Sequence, residues 1–149
     1  MRHAITAFLL IASLALEGCF APFWQGVAQG MAAAGGSLTA GGAKLMIFGG
    51  RNHDVYLGCL NCSEYATDSV FNKYGTYGSE YSSTSIYNSY GQYGSPYSSM
   101  SPCNPYATDP PVVVDEDGNF YGYLTLNQYK SGAITDARIR AWLKGVCGG

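Results

Sequence analysis

The hydrophobic positions of this chain fall into runs of different period, and each run predicts a different element. Ala4 to Leu16 is an unbroken apolar stretch of thirteen residues behind the basic Arg2, ending just before Gly18-Cys19. A membrane-spanning helix needs roughly twenty such residues, so this run predicts a cleaved export signal rather than an anchor. Leu45 to Phe48 and Val55 to Leu57 are short β-rich runs on either side of Gly49-Gly50-Arg51-Asn52, which predicts a hairpin. A second hairpin is predicted where Val112 to Val114 and Phe120 to Leu126 flank Asp117-Gly118, a strong turn pair. Thr135-Asp136 is suited to cap an amphipathic helix from Ala137 to Lys144, with Ile139, Trp142 and Leu143 on its inner face and Gly145 placed to stop it.

Between the hairpins the pattern is neither helical nor alternating. Ser69 to Thr84 reads SVFNKYGTYGSEYSST, Ser85 to Met100 reads SIYNSYGQYGSPYSSM, and Ser101 begins a truncated third copy, SPCNPYATDPP, at a period of sixteen. Strict register favours an ordered repeat over a disordered tract of the same composition, because stacked copies share a core that one copy cannot bury alone. Asn72, Asn88 and Asn104 keep that register, and Tyr74, Tyr90 and Tyr106 follow two places later. Within a copy, Ser85 is expected to cap a helical turn, Ile86 and Tyr87 to point inward, and Gly91 to end the turn at positive φ. Asn88 is expected to bond nearby backbone, since irregular segments lack ladder partners. Little regular secondary structure is predicted there.

The fold expected is therefore a small, loop-rich α+β domain. Short β-hairpins flank an irregular Tyr/Gly/Ser repeat, a helix closes the C-terminus, and a signal helix opens the N-terminus. Residues 1–18 form the signal peptide, 19–43 a Gly/Ala-rich tether, and 44–149 a single domain with the repeat region at 69–111. In the tether, Gly35-Gly36 and Gly41-Gly42 predict flexibility, and Phe20, Phe23 and Trp24 suit a membrane interface.

Export changes how the cysteines read. Leu16-Glu17-Gly18-Cys19 resembles a bacterial lipobox with Glu17 as a departure from its pattern, which makes Cys19 the lipidation site and the membrane surface a partner. Cys59, Cys62, Cys103 and Cys147 then remain, an even set suited to two disulfides in an oxidising compartment. Connectivity is open among three pairings; the shared pattern CxxYATD at Cys62 and Cys103 favours joining those two and leaves Cys59 for Cys147.

Candidate chemistry is sparse. Eight basic and ten acidic residues provide no field for nucleic acid or anionic lipid. His53 is the histidine of the mature chain, beside Asp54, and a hydrolase using it with Asp54 or a free cysteine is the enzymatic alternative. Cys59-Leu60-Asn61-Cys62 has redox and zinc spacing, but no βαβ setting or second paired spacing accompanies it. Asp115, Asp117 and Asn119 alternate as calcium ligands do, yet Gly118 sits at loop position four and Leu126 at position twelve, so a plain hairpin turn is favoured. No catalytic residue, metal or cofactor is assigned. Tyr74, Tyr77, Tyr90 and Tyr93, with Asn72 and Asn88, are the candidate binding residues, for an envelope glycan such as peptidoglycan or for a protein; the alternative is that the rings are consumed in the repeat's own packing.

The strings YLGCLNC, SIYNSYGQYGSPYSS and NPYATDPPVVVDEDGNFYGYLTLN resemble a family of small secreted or lipid-anchored bacterial chains with SIxN-x-YG-x-YGS-x-YS repeats followed by a paired-proline, Asp-Gly and GYLTxN segment. The resemblance spans about Leu45 to Tyr129 and implies export to the cell envelope, facing periplasm or exterior, with no catalytic assignment. Cys103 stands where that repeat implies an aromatic, which suggests a disulfide particular to this chain. The expectation is a lipid-anchored structural or binding protein of the envelope.

Overall fold

The computed structural model describes residues 42–148. The leader, Cys19 and the tether up to residue 41 lie outside the described residues. Four antiparallel strands form one sheet: β1 (Leu45–Gly49), β2 (Val55–Cys59), β3 (Val112–Asp115) and β4 (Phe120–Tyr123), in the spatial order β2-β1-β3-β4. Both predicted hairpins are present, and β1 pairs with β3 as the long-range seam between them, Leu45 opposite Asp115 and Phe48 opposite Val112. β1 alternates strictly, with Leu45, Ile47 and Gly49 buried and Met46 and Phe48 half-buried, as expected of a strand with one core face.

Each hairpin contains a bulge. On β2, Leu57 is the extra residue between Gly58, opposite Ile47, and Tyr56, opposite Phe48. Gly58 takes φ +116°, and a Cβ there would lie 2.7 Å from Cβ of Tyr77, so a glycine is needed for the repeat to approach the sheet. β4 ends at Tyr123 rather than at Leu126. Leu124 N–H still donates to Pro111 O at 2.7 Å, in register with the Val112–Tyr123 pair, but Leu126 N–H turns to Pro102 O at 2.8 Å, which draws the chain off the sheet toward the repeat.

The helix α1 (Ala137–Gly148) starts at Asp136, whose Oδ1 accepts the N–H groups of Arg138 and Ile139 at 2.9 and 3.2 Å. It runs past Gly145, which does not stop it, because Val146 and Cys147 of its last turn pack against the core. Ile139 and Leu143 from α1, Ile47, Leu57 and Val113 from the sheet, and Val70, Ile86 and Tyr93 from the repeat form a single cluster.

The N-terminal end of this domain is clamped by side chains. Asn61 Oδ1 accepts Leu45 N–H and its Nδ2 donates to Ala43 O, both at 2.8 Å, so its amide replaces a missing ladder partner of β1. Nearby, Asp68 receives Lys44 Nζ and Tyr56 OH. Lys44 draws the Asp68 carboxyl below its ordinary pKa, while burial and Asp68 together push the Tyr56 phenol upward.

The disulfides are Cys59–Cys62 and Cys103–Cys147. This corrects the pairing of Cys62 with Cys103 and Cys59 with Cys147. The CxxYATD echo spans 41 residues, which is no multiple of the sixteen-residue period. In register Cys62 is equivalent to Gly78 and Gly94, and Cys103 to Phe71 and Tyr87, so the two cysteines occupy different stations. Cys103 does hold an aromatic's place: Phe71 and Tyr87 meet Trp142 of α1 at ring separations of 5.6 and 6.5 Å, and Cys103 meets the same helix covalently through Cys147.

The two bonds differ in loop length, with sequence separations of 44 and 3, so chain-entropy reasoning assigns about 4 kcal/mol to Cys103–Cys147 and about 2 kcal/mol to Cys59–Cys62. Denaturant titration of a Cys103→Ser/Cys147→Ser variant is expected to show the larger loss of stability, and a Cys59→Ser/Cys62→Ser variant roughly half of it.

Candidate functional site

Residues 63–107 form a ribbon of consecutive β-turns. Their nodes are Ser63, Ala66, Ser69, Asn72 and Gly75, then Ser79, Ser82, Ser85, Asn88 and Gly91, then Ser95, Ser98, Ser101, Asn104 and Ala107; each node N–H donates to the carbonyl of the node before it, at 2.9–3.4 Å. Four steps of three residues and one of four make up the sixteen-residue period. The four-residue step runs from Gly75 to Ser79 and from Gly91 to Ser95. The ribbon therefore begins six residues before the first full copy, and its early start was legible as Ser63-Glu64-Tyr65, the twin of Ser79-Glu80-Tyr81. Ser85 caps a β-turn rather than a helical turn, and Gly91 keeps negative φ, since the next node continues the ribbon instead of ending a helix.

Node side chains carry the remaining polar bonds. Serine Oγ or asparagine Oδ1 accepts the N–H two residues later, as Ser85 does from Tyr87 and Asn88 from Tyr90, both at 3.1 Å. Each register asparagine also reaches back six residues: Nδ2 of Asn72, Asn88 and Asn104 donates to the carbonyls of Ala66, Ser82 and Ser98 at 3.0–3.1 Å. The amides of Asn72 and Asn88 are thus committed to backbone.

The third residue of each turn is where the aromatic rings sit, and register sorts them. Phe71 and Tyr87 turn toward α1. Tyr77 and Tyr93 turn toward the sheet, Tyr77 against Tyr56 at 5.1 Å and Tyr93 within the core. Tyr74, Tyr90 and Tyr106 form one outward column, and Tyr65, Tyr81 and Tyr97 form another. Of the four candidate tyrosines, then, Tyr74 and Tyr90 are in solvent while Tyr77 and Tyr93 line the interior.

A seventh outward ring was not foreseen. After Ala107 the chain leaves for the β3–β4 hairpin and returns at Asn127-Gln128-Tyr129, where Asn127 Nδ2 donates to Ala107 O at 3.0 Å and Asn127 Oδ1 accepts Tyr129 N–H at 2.9 Å. This rebuilds the Asn-x-Tyr unit outside the repeat; the triplet itself was the available signal. All seven outward tyrosines are at least 76% exposed. Among the described residues none of their hydroxyls has a hydrogen-bond partner and none of their rings an aromatic neighbour. Each nonetheless has its backbone N–H held by a serine or asparagine at 2.9–3.3 Å.

The other candidate chemistry resolves into local structure. His53 sits at φ +53° in the β1–β2 turn and donates Nε2–H to Pro110 O at 3.0 Å, tying that turn to the end of the repeat. Cys59 and Cys62 are bonded to each other at the end of β2, and Cys103 and Cys147 likewise, so the described cysteines offer no thiolate. Asp115 is buried inside its own hairpin, where Oδ1 accepts the N–H groups of Asp117 and Asn119 and Oδ2 accepts Asn119 Nδ2 and Tyr121 OH, at 2.8–3.1 Å. Asn119 foremost holds this carboxyl below the ordinary carboxylate pKa.

No protein-family model matches the chain, and no curated protein or solved structure is significantly similar to it.

Two outcomes follow from this geometry. At Gly94 a Cβ would stand 2.2 Å from Asn88 O, so Gly94→Ala is expected to cost about 1–3 kcal/mol in denaturant unfolding, whereas Gly145→Ala, in open helix, is expected to gain about 0.5–1 kcal/mol. The depressed carboxyls of Asp115 and Asp68 contribute stability above the unfolded carboxylate value of about 3.9, and that stability is lost as pH falls through their folded values. Thermal melts of Asp115→Asn against the parent are expected to differ at pH 7 and to converge as the pH is lowered through this window.

Proposed function

We propose that this protein is a non-enzymatic binding scaffold of the bacterial cell envelope, exported by its apolar leader, tethered through lipidated Cys19, and presenting the outward tyrosines of its turn ribbon to a partner. The observation that carries the reading is the sorting of the rings. Tyr74 and Tyr90 share a repeat with Tyr77 and Tyr93, yet the first pair is in solvent while Tyr93 is in the core and Tyr77 is half-buried against it. Core formation accounts for the inward rings and leaves the outward ones without a role in stability, because a ring exposed to this degree removes almost no apolar area from water.

Recognition surfaces favour tyrosine beside serine, glycine and asparagine, since the ring supplies flat contact area at low entropy cost and the small polar residues adapt around it. Here the backbone under each outward ring is already fixed by its node, which lowers the ordering cost of binding further. Two disulfides suit the oxidising side of a membrane and keep the scaffold closed. Among the described residues no helix is long and apolar enough to cross a membrane.

The test is co-sedimentation of the full-length protein with isolated bacterial envelopes after its lipid has been removed, comparing the parent with a variant carrying serine at Tyr74, Tyr90 and Tyr106. The parent is expected to sediment and the variant to stay in the supernatant with unchanged circular dichroism. Equal sedimentation of the two would remove the outward tyrosines from the function.

A further inference from the structure

Resting on that reading of the outward tyrosines, we propose that their ligand is a linear, uncharged polysaccharide of equatorially linked pyranoses. Three observations narrow the class. The first is charge: the ribbon at 63–107 carries four charged side chains, Glu64, Asp68, Lys73 and Glu80, and Asp68 is already bonded to Lys44 and Tyr56. The remaining three are scattered and mixed in sign, with no cluster for a polyanion or polycation to pair with, so ionic recognition is not the source of affinity.

The second is isolation. The outward rings do not touch one another and are separated by Ser, Asn, Gly and Pro, so they do not merge into a contiguous apolar patch. A protein partner takes its affinity from a central cluster of well-packed anchors ringed by water-excluding contacts. Separated, equivalent rings instead suit a ligand that is itself a string of equivalent units. An equatorially substituted pyranose presents a flat face of C–H bonds that lies over a phenol ring, with its hydroxyls directed outward to hydrogen-bonding neighbours such as the exposed Ser83 and Ser89.

The third is the fourth Asn-x-Tyr unit. Tyr74, Tyr90 and Tyr106 recur by repetition, but Tyr129 comes from a segment outside the repeat and is docked by Asn127 onto the ribbon's last node, Ala107. Duplication does not account for it, whereas an additional sugar-stacking station along the same ribbon does. Several weak stations on one strand bind by avidity, so affinity rises steeply with chain length.

The experiment is affinity electrophoresis of the full-length protein in native gels containing hydroxyethylcellulose, glycol chitin or dextran, with cello- and chito-oligosaccharides of two and six units as soluble competitors. Retardation is expected with hydroxyethylcellulose or glycol chitin, which differ in the sugar they present, and not with the flexible α-linked dextran. Hexasaccharide is expected to compete at least tenfold better than disaccharide. Tyr90→Ala is expected to weaken binding roughly threefold to tenfold, and serine at Tyr74, Tyr90 and Tyr106 together to abolish it with the fold intact. Absence of retardation in every gel, or retardation that survives the triple substitution, overturns the proposal. If retardation is absent while envelope sedimentation still depends on the tyrosines, the glycan class alone is wrong; if both are independent of them, the binding surface is wrong as well.

Discussion

A long irregular segment can enter a protein core only if its backbone amides and carbonyls find partners, and that requirement governs this structure. Burying an unpaired peptide group costs about as much as losing a hydrogen bond. The ribbon spanning 63–107 has neither a helical ladder nor a strand partner for most of its length, so it meets the requirement locally. Each turn bonds node to node, and serine or asparagine side chains take the amide in between. Ser69, Ser85 and Ser101 are fully buried because they serve this purpose and not because they are apolar. The composition rich in Ser, Asn, Gly and Tyr is therefore the composition of a self-satisfied backbone carrying rings.

Once the nodes are fixed, everything else follows from where the third residue of each turn points. Of the five stations in a period, one faces α1, one faces the sheet, two face solvent, and the fifth, at Asp68, Thr84 and Met100, carries no ring. Val70, Ile86 and Pro102 fill the station just after the buried serine, closing the core from the repeat side. The four-residue step matters equally, since a run of uniform three-residue turns would not return each station to the same direction at sixteen residues. Gly78 and Gly94 occupy that step because the chain passes over the carbonyls of Asn72 and Asn88 with no space for a side chain. The helix is joined to this frame by Cys103–Cys147, and its Trp142 donates Nε1–H to Tyr87 OH at 3.2 Å, so the same ring column is secured by packing, a hydrogen bond and a covalent link.

Much of this was legible in the sequence. The β-rich run Leu45 to Phe48, the Asp-Gly turn and the Asp136 cap each act locally, and each produced the element expected of it. The repeat's period was equally plain, and so was the role of Asn88. The content of one period was not, because nothing in SIYNSYGQYGSPYSSM distinguishes a one-turn helix ended by Gly91 from an unbroken series of β-turns; that choice depends on bonds between successive nodes. The direction of each tyrosine was hidden for the same reason: Tyr90 and Tyr93 have near-identical local neighbours, Tyr-Gly in both cases, and opposite fates set by tertiary register. The disulfide pairing was misread by trusting a seven-residue echo over the sixteen-residue frame that contradicts it. Tyr129 was passed over because its partner, Ala107, is twenty residues from Asn127 across a hairpin.

The account stands or falls on register deciding which phenols meet solvent. Mild nitration with tetranitromethane, followed by peptide mass mapping of the non-reduced protein, reads that directly for every tyrosine at once. Rapid modification at Tyr65, Tyr74, Tyr81, Tyr90, Tyr97, Tyr106 and Tyr129, with Tyr77, Tyr87 and Tyr93 protected until the protein unfolds, is the predicted pattern. Equal labelling of Tyr90 and Tyr93, or of Tyr74 and Tyr77, would contradict it.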